Sequence, residues 1–229
     1  MLFIVYIFTL ISVIYSFDDK QQIIEIVVNE ELPLSTILFI TNSNLTYRLF
    51  DSVRNQNSFV NYQSSSNHLV LARSIDREQL CTDRICSCSH CQLLIELIEW
   101  QPPYRLLKFH LIIEDINDHS PEFPSDIYHY TVLENIGIDY ELNLDQAQDN
   151  DFGENSRLNY VLQSLDDEKS SKSLFELLIK SNGALSLKVC ENLDREQRDF
   201  YQYQLIAYDH GQPKRSGSTK LFIHIEVCY

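Results

Sequence analysis

The chain has 229 residues, with 33 acidic against 18 basic side chains and a formal net charge of −15 at pH 7. This balance excludes the basic face that nucleic-acid binding requires, and it suits a protein that meets cations. A hydrophobic content of 44% is enough for apolar cores and excludes wholesale disorder.

Residues 1–16, MLFIVYIFTLISVIYS, form the first predicted element, a secretory signal peptide with cleavage after Ser16. The run is short for a membrane span, which needs about 20 residues. Because it lacks a basic start, an N-terminal anchor remains the alternative. Export would bring the mature chain into an oxidising compartment, and any later membrane anchor is expected outside this sequence.

Short apolar runs follow, rich in Ile, Val, Leu, Tyr and Phe and separated by Asn, Asp, Ser, Pro and Gly. Such runs predict the strands of an all-β sandwich. They are IIEIVV at 23–28, HLVLAR at 68–73, LIELIEW at 94–100, RLLKFHLII at 105–113, RLNYVLQ at 157–163, FYQYQLIAYD at 200–209 and KLFIHIEV at 220–227. SKSLFELLIK at 171–180 also fits a helical turn, but the Asn-Gly pair at 182–183 favours a hairpin of two strands.

Four of the six cysteines lie in CTDRICSCSHC at 81–91. A structural zinc site would require two separated pairs, so the spacing favours one or two local disulfides, with Cys81 and Cys91 as the candidates that close the loop. Cys190 and Cys228 either pair with each other or leave Cys228 unpaired. The sequon NLT predicts a glycan on Asn44, in a surface segment.

Acidic residues are concentrated in EDIND at 114–118, just before two prolines. At ~5 Å and an effective dielectric constant of ~20, each pair of like charges costs about 3 kcal/mol. Further acids follow other strand runs, at Glu30 and Glu31, in DRE at 76–78, in DND at 149–151 and at Asp209. Calcium takes about six to eight oxygen ligands, which several loops together can supply, so the pattern predicts a calcium site. A solvated charged turn is the alternative.

Three short sequence motifs occur twice in the chain, in the same order. SIDREQL at 74–80 recurs as NLDREQR at 192–198, VVNEEL at 27–32 as TVLENI at 131–136, and FHLIIE at 109–114 as LFIHIE at 221–226. We therefore predict two tandem copies of one domain, residues 17–120 and 121–229, with the boundary between Ile113 and Pro124.

These acidic motifs, taken in order, resemble those of the cadherin repeat, and NEELPLSTI, IDREQLC and RSGSTKLFIHIEV are similar to protocadherin segments. The resemblance covers the chain from about residue 20 to its end. It implies two Greek-key, immunoglobulin-like β-sandwiches and up to three calcium ions at the linker between them. The carboxylate ligands that it implies are Glu30, Asp76, Glu78, Asp115, Asp118, Asp149, Asp151 and Asp209.

The resemblance also implies uncharged oxygen ligands. Asn117 would contribute its side-chain oxygen, and Ile116, His119 and Asn155 their backbone carbonyls. Eight carboxylates against three dications leave a charge of −2, compared with −8 without the ions. His119 stands where the family pattern has Asn. The difference matters little if this position binds calcium through its backbone carbonyl, whereas ligation through the side chain would put the calcium affinity in doubt.

Glu134, Asp194 and Glu196 resemble half of a second such site. Its partners would be a further DxND motif and another repeat, so we expect the sequence to be part of a longer chain.

The resemblance implies a calcium-dependent, homophilic cell–cell adhesion ectodomain at the extracellular face of the plasma membrane. Its partner would be the same or a related cadherin on an apposed cell, with neither nucleic acid nor a small-molecule substrate. The alternative is a soluble extracellular binding or signalling module, or a decoy, with a heterophilic partner. Glycosidase chemistry would need two carboxyl groups across a cleft, one with a raised pKa. A cation-neutralised cluster offers neither, so we do not expect an enzyme.

Overall fold

The computed structural model describes residues 4–6, 11–18, 21–41, 45–50, 56–165 and 174–227. The chain divides into two compact units, Met1–Ile116 and Asn117–Tyr229. The division lies inside the stretch where the repeat boundary is predicted, while the limits 17–120 and 121–229 remain predictions. Asn44 and Cys228 lie outside the described residues, so the predicted glycan and a Cys190–Cys228 pair also remain predictions.

The described part of the first unit contains two sheets and two short helical segments. Its strands are β1 Ile4–Tyr6, β2 Ile11–Asp18, β3 Gln21–Asn29, β4 Ile37–Ile40, β5 Tyr47–Leu49, β6 Val60–Gln63, β7 His68–Leu71, β8 Gln92–Glu99 and β9 Leu106–Glu114. A 3-10 helix spans Gln56–Phe59, and α1 spans Arg77–Thr82. The sheet orders are β1-β2-β3-β9-β8-β5 and β4-β7-β6.

The second unit, over residues 117–165 and 174–227, also contains two sheets. Its strands are β10 Ile127–Leu133, β11 Glu141–Leu144, β12 Asn159–Ser164, β13 Phe175–Ile179, β14 Leu185–Val189, β15 Phe200–Tyr208 and β16 Ser216–Glu226. The sheet orders are β10-β16-β15-β12 and β11-β14-β13.

Both units have the same strand topology. When β3–β9 and β10–β16 are each counted as strands one to seven, one sheet has the order 1-7-6-3 and the other 2-5-4. The first and last strands pair in parallel in each unit. The predicted all-β class and the tandem Greek-key sandwiches are therefore confirmed.

Alternating burial along the strands explains why these runs form sandwiches. In β8, Leu93, Ile95 and Leu97 are almost fully buried, while the residues between them are only partly buried. In the second unit, Leu205 and Ile223 occupy the same kind of position. Each buried aliphatic side chain contributes roughly 1.5–3 kcal/mol, so each unit has its own apolar core.

In the segment at 171–180, the described residues contain a strand, as predicted. Phe175–Ile179 pairs antiparallel with Leu185–Val189, and 171–173 lie outside the described residues. Gly183 has a φ of +85°, a conformation that glycine adopts at little cost, and it follows Asn182 in the turn between the two strands.

The predicted signal peptide overlaps two strands. β2 pairs antiparallel with β3, from Ile11 opposite Val28 to Asp18 opposite Gln21. Cleavage after Ser16 would remove β1 and most of β2 and leave β3 at the edge of its sheet. The signal peptide therefore remains a prediction. Among the described helices, none is long and apolar enough to cross a membrane.

The cysteine-rich loop contains two disulfides, but the predicted closure between Cys81 and Cys91 is wrong. Cys81 bonds to Cys88, and Cys86 bonds to Cys91. The Cα–Cα distances are 5.0 and 4.9 Å, within the range that a disulfide spans. The two bonds form overlapping rings that use all four sulfurs of the loop, in agreement with the prediction of one or two local disulfides.

Candidate metal centre

Three acidic side chains of the first unit meet at one end of its larger sheet. β3 and β9 are parallel, with Asn29 opposite Glu114, so the next residues, Glu30 and Asp115, leave the sheet side by side. Glu78 joins them from α1. One carboxylate oxygen from each of Glu30, Glu78 and Asp115 lies within 4.8 Å of the others. These three residues, here called the first acidic cluster, were all predicted to be ligands.

Backbone groups fix the orientation of Glu30 in this cluster. The side chain is only 2% exposed. Its Oε2 accepts a hydrogen bond from the backbone N–H of Arg77 at 2.6 Å, and its Oε1 accepts one from that of Ile116 at 2.9 Å. Hydrogen bonds to a carboxylate are among the stronger ones in proteins, so the two backbone N–H groups fix the orientation of this acid.

Glu78 is the least satisfied member of the first acidic cluster. Both of its Oε atoms are buried and lack a hydrogen-bond partner among the described residues. Burial raises the pKa of Glu78 to about 8, and the neighbouring charges of Glu30 and Asp115 add to the effect. A buried carboxylate with unused lone pairs is costly and is well suited to ligate a cation.

Asp76 and Arg77, the two residues before Glu78, have different environments. Asp76 is exposed and caps α1, accepting a hydrogen bond from the backbone N–H of Gln79 at 2.7 Å, and its role as a metal ligand remains a prediction. Arg77 is 5% exposed, and its Nη1 lies 3.1 Å from Asp115 Oδ1. Nothing in the DRE triplet itself distinguishes this arginine from Arg195, which is exposed.

In the second unit, Asp151 lies between the linker and another acid. The backbone N–H of His119 donates to Asp151 Oδ1 at 3.1 Å, and Asp151 N–H donates to Asp149 Oδ1 at 3.0 Å. His119 Nδ1 lies 2.8 Å from Asp118 Oδ1 and 2.9 Å from Asp151 Oδ1. We call Asp118, His119, Asp149 and Asp151 the second acidic cluster; all four were predicted to be ligands.

Electrostatics within the second acidic cluster shift two pKa values. Burial raises the pKa of Asp151 to about 6, and the charge of Asp149 adds to this shift. For His119, burial alone would lower the pKa, but the hydrogen bonds and charges of Asp151 and Asp118 outweigh it, so the pKa is raised. These raised pKa values belong to the protein without bound cation, whereas the sequence argument concerned a cation-neutralised cluster, so that argument stays a prediction.

Asn117 and Asp209 form a buried pair beside this cluster. Asp209 is fully buried, and its carboxylate accepts hydrogen bonds from the backbone N–H groups of Gly211 and Arg215. Asn117 Nδ2 donates to Asp209 Oδ2 at 2.9 Å and to the carbonyl of Pro213. These bonds leave Asn117 Oδ1 buried with no hydrogen-bond partner among the described residues. This is the atom that was predicted to ligate calcium.

The remaining predicted ligands have weaker support. Asn155 lies near Gly211, with its Oδ1 2.7 Å from where a Cβ of residue 211 would be. Carbonyl ligation by Ile116, His119 and Asn155, like carboxylate ligation by Asp209, remains a prediction.

The predicted half-site of the second repeat, at Glu134, Asp194 and Glu196, shares two hydrogen bonds with the corresponding residues of the first repeat. Glu134 N–H donates to the Glu226 carbonyl as Glu30 N–H donates to that of Glu114. Asp194 accepts from Gln197 N–H at 3.2 Å, as Asp76 does from that of Gln79. Ligation by Glu134, Asp194 and Glu196 remains a prediction.

We expect the stability of the calcium-free protein to fall as the pH rises from about 5 to 8.5. Glu78 and Asp151 have folded-state pKa values near 8 and 6, above their ordinary 4.5 and 3.8, and His119 is also shifted upwards. A group whose pKa is raised on folding stabilises the fold below its unfolded pKa, and this contribution is lost as the pH passes the folded value.

The measurement is the melting temperature across this pH range in calcium-stripped buffer and again with excess calcium. Bound calcium favours the deprotonated carboxylates, so it should flatten or reverse the decline. A melting temperature that rises with pH in the calcium-free series would contradict the burial argument.

Comparisons with known proteins agree with the fold. Residues 128–226 match the family model of the cadherin domain. Human protocadherin-18 is 30% identical over 217 residues, covering 92% of this chain and 18% of the relative. Human protocadherin gamma-B6 is 31% identical over 170 residues, covering 72% and 16%. The solved structure of protocadherin gamma C5 EC1-3 is similar with a TM-score of 0.73 and 27% identity, covering 88% of this chain and 65% of that one. This chain thus spans less than a fifth of these curated relatives.

Proposed function

The chain belongs to the cadherin superfamily, and we propose that it is part of a calcium-dependent cell–cell adhesion ectodomain. Its relatives are cadherin adhesion ectodomains and not enzymes. We place it in the secretory pathway and at the extracellular face of the plasma membrane. Its partner is the same or a related cadherin on an apposed cell.

The proposal rests on buried oxygen atoms that the protein itself leaves unsatisfied. Both Oε atoms of Glu78 in the first unit and Oδ1 of Asn117 in the second are buried without a hydrogen-bond partner among the described residues. Each belongs to a group of hard oxygen donors that its own unit assembles. Buried polar atoms are normally paired, so unpaired oxygens among acids support a missing hard cation, and calcium prefers such ligands.

We assign the ligands according to what each unit contributes. Glu30, Glu78 and Asp115 come from the first unit, and Asn117, Asp118, Asp149 and Asp151 come from the second, with Asp76 and Asp209 as outer members. Calcium supplies positive charge that offsets the repulsion among these acids. The chain itself orients and connects these ligands. Backbone N–H groups orient Glu30 and Asp151, and residues 115–118 covalently join the ligands of the first unit to those of the second.

Adhesion then follows from stiffness. When the acids of successive repeats share ions, the linker between the repeats loses freedom, and the ectodomain presents its faces in a fixed orientation. Preorganisation of this kind lowers the entropy cost of binding a partner. Without calcium, the repelling acids favour a looser linker and weaker adhesion.

Calcium titration tests the proposal. We expect calcium to raise the melting temperature and to give a stiffer, more extended particle in small-angle X-ray scattering. Asp118→Ala should blunt both responses. Asp126→Ala is the matched control, because Asp126 is exposed in the same unit and the charge change is identical. A wild-type protein that shows neither response would overturn the proposal.

Bead aggregation distinguishes adhesion from the alternative of a soluble module or decoy. Beads coated with the longer parent ectodomain should clump in calcium and disperse in chelator. Stable binding to a different protein, without any clumping of like-coated beads, would favour the heterophilic alternative.

A further inference from the structure

Arg77 links the first acidic cluster to the disulfide loop, defined as residues 81–91. Its side chain is 6% exposed, and Nη1 lies 3.1 Å from Asp115 Oδ1. Nη2 donates to the backbone carbonyl of Cys88 at 2.6 Å. A single buried guanidinium thus bonds to an acid of the cluster and to the loop.

The loop fixes the position of that carbonyl. Cys88 is bonded to Cys81, which lies in α1, the helix that begins at Arg77. Cys86 is bonded to Cys91, which is 2% exposed and directly precedes β8. The acceptor of Nη2 is therefore tied covalently both to the helix that carries Arg77 and, through the chain at Cys91, to β8.

The planar guanidinium fork then fixes the direction of the Asp115 carboxylate. Arginine presents its N–H groups in a rigid geometry, whereas lysine offers a point charge on a flexible stem. With Nη2 held by the Cys88 carbonyl, the plane of the guanidinium is fixed, and with it the in-plane directions in which the two N–H groups of Nη1 donate. The backbone of the same residue also holds Glu30, since Arg77 N–H donates to Glu30 Oε2 at 2.6 Å. Nη1 also lies 3.9 Å from Glu78 Oε1, so Arg77 contacts all three acids in the cluster.

We propose that Arg77 is a positioning residue for calcium binding, and that the disulfide loop is its anchor. The inference rests on the proposed calcium function and adds a residue that does not itself ligate. Outer contacts that orient the ligands of a metal typically account for about 10–100-fold in metal affinity. The cationic side chain also repels calcium, so its net effect separates into geometry, which favours binding, and charge, which opposes it.

Arg77→Lys isolates the geometric part because it keeps the charge and loses the fork. We expect calcium affinity, measured by titration calorimetry on the full chain, to fall about tenfold or more. Arg195→Lys is the matched control: it makes the same change in the DRE triplet of the second repeat, where the arginine is exposed, and should leave affinity unchanged. Equal affinities for Arg77→Lys and wild type would overturn the inference.

A double-mutant cycle tests the anchor. Replacing Cys81 and Cys88 with serine should weaken calcium binding in the wild-type background and add little in the Arg77→Lys background, because both changes remove the same support. Fully additive losses would show that the loop and Arg77 act separately and would overturn the anchor. If the cysteine variant does not fold, as judged by circular dichroism, the comparison of Arg77→Lys with Arg195→Lys decides.

The two hypotheses fail in different ways. Absence of calcium binding by the wild type would overturn the proposed function, whereas wild-type binding that Arg77→Lys leaves unchanged would overturn only the positioning role.

Discussion

Glu78→Gln should stabilise the calcium-free protein and at the same time weaken calcium binding. The glutamine keeps the shape of the side chain but removes a charge whose two oxygens are buried without a hydrogen-bond partner among the described residues and that the Arg77 guanidinium, 3.9 Å away, offsets only in part. We expect a gain of about 1–3 kcal/mol in the free energy of unfolding near pH 8, which is several degrees in melting temperature. Calcium affinity should fall at least about tenfold, because the anionic ligand is lost.

The pH dependence of the gain identifies its cause. Because the folded-state pKa of Glu78 is near 8 against an ordinary 4.5, the stabilisation by glutamine should be small near pH 4.5 and grow until about pH 8. Glu31→Gln is the matched control, with the same change at an exposed neighbour of Glu30, and should produce neither effect. If Glu78→Gln destabilised the calcium-free protein at pH 8, the description of this carboxylate as a buried acid that the fold compensates only in part would be wrong.

The opposite effects of Glu78→Gln on stability and on calcium affinity indicate the role of this residue. A residue that served the fold alone would lower stability when changed and would affect calcium only indirectly. When a substitution neutralises a ligand that the fold holds in an unfavourable environment, the protein becomes more stable and its calcium affinity falls. Strain of this kind is expected at functional sites, where the fold gives up stability that the bound ligand restores.

The alternation of apolar and polar residues along short runs made the β-sandwiches predictable. Leu93, Ile95 and Leu97 alternate with less buried neighbours, and strands of period two can bury one face only by packing a second sheet on it. The members of the first acidic cluster were also predictable, because these acids lie just outside strand runs and match motifs that resemble those of the cadherin repeat. Such predictions depend on neighbours in the sequence and on the repeat itself.

Features that depend on three-dimensional contacts and on burial, and not on residue type alone, were not predictable. Arg77 and Arg195 occupy the same triplet, yet Arg77 is buried and Arg195 is exposed. The Cys88 carbonyl that Arg77 contacts belongs to a cysteine-rich loop that has no counterpart in the repeated motifs. The pairing of Cys81 with Cys88 depends on where α1 places its last turn. The raised pKa of Glu78 follows from its burial, and a motif indicates residue type but not burial.

Gly211→Ala should disrupt the second unit at the predicted amide ligand. A Cβ at this position would overlap the side chain of Asn117 and lie 2.7 Å from Asn155 Oδ1. Asn117 would have to move, and its hydrogen bonds to Asp209 and Pro213 would weaken. We expect a loss of about 1–3 kcal/mol in the free energy of unfolding in urea. Calcium affinity should also fall about tenfold or more, because Asn117 Oδ1 leaves its place.

Gly137→Ala provides the matched control, since a Cβ there meets nothing within 4 Å. Its effect on unfolding should stay within about 0.5 kcal/mol, with unchanged calcium affinity. Asn117→Ala combined with Gly211→Ala identifies the clashing partner: once the carboxamide is gone, the glycine substitution should cost little more than it does at residue 137. If Gly211→Ala remained equally damaging in that background, the clash would involve Asn155 or the turn itself. If the single variant bound calcium normally despite lost stability, Asn117 would orient Asp209 without serving as a ligand.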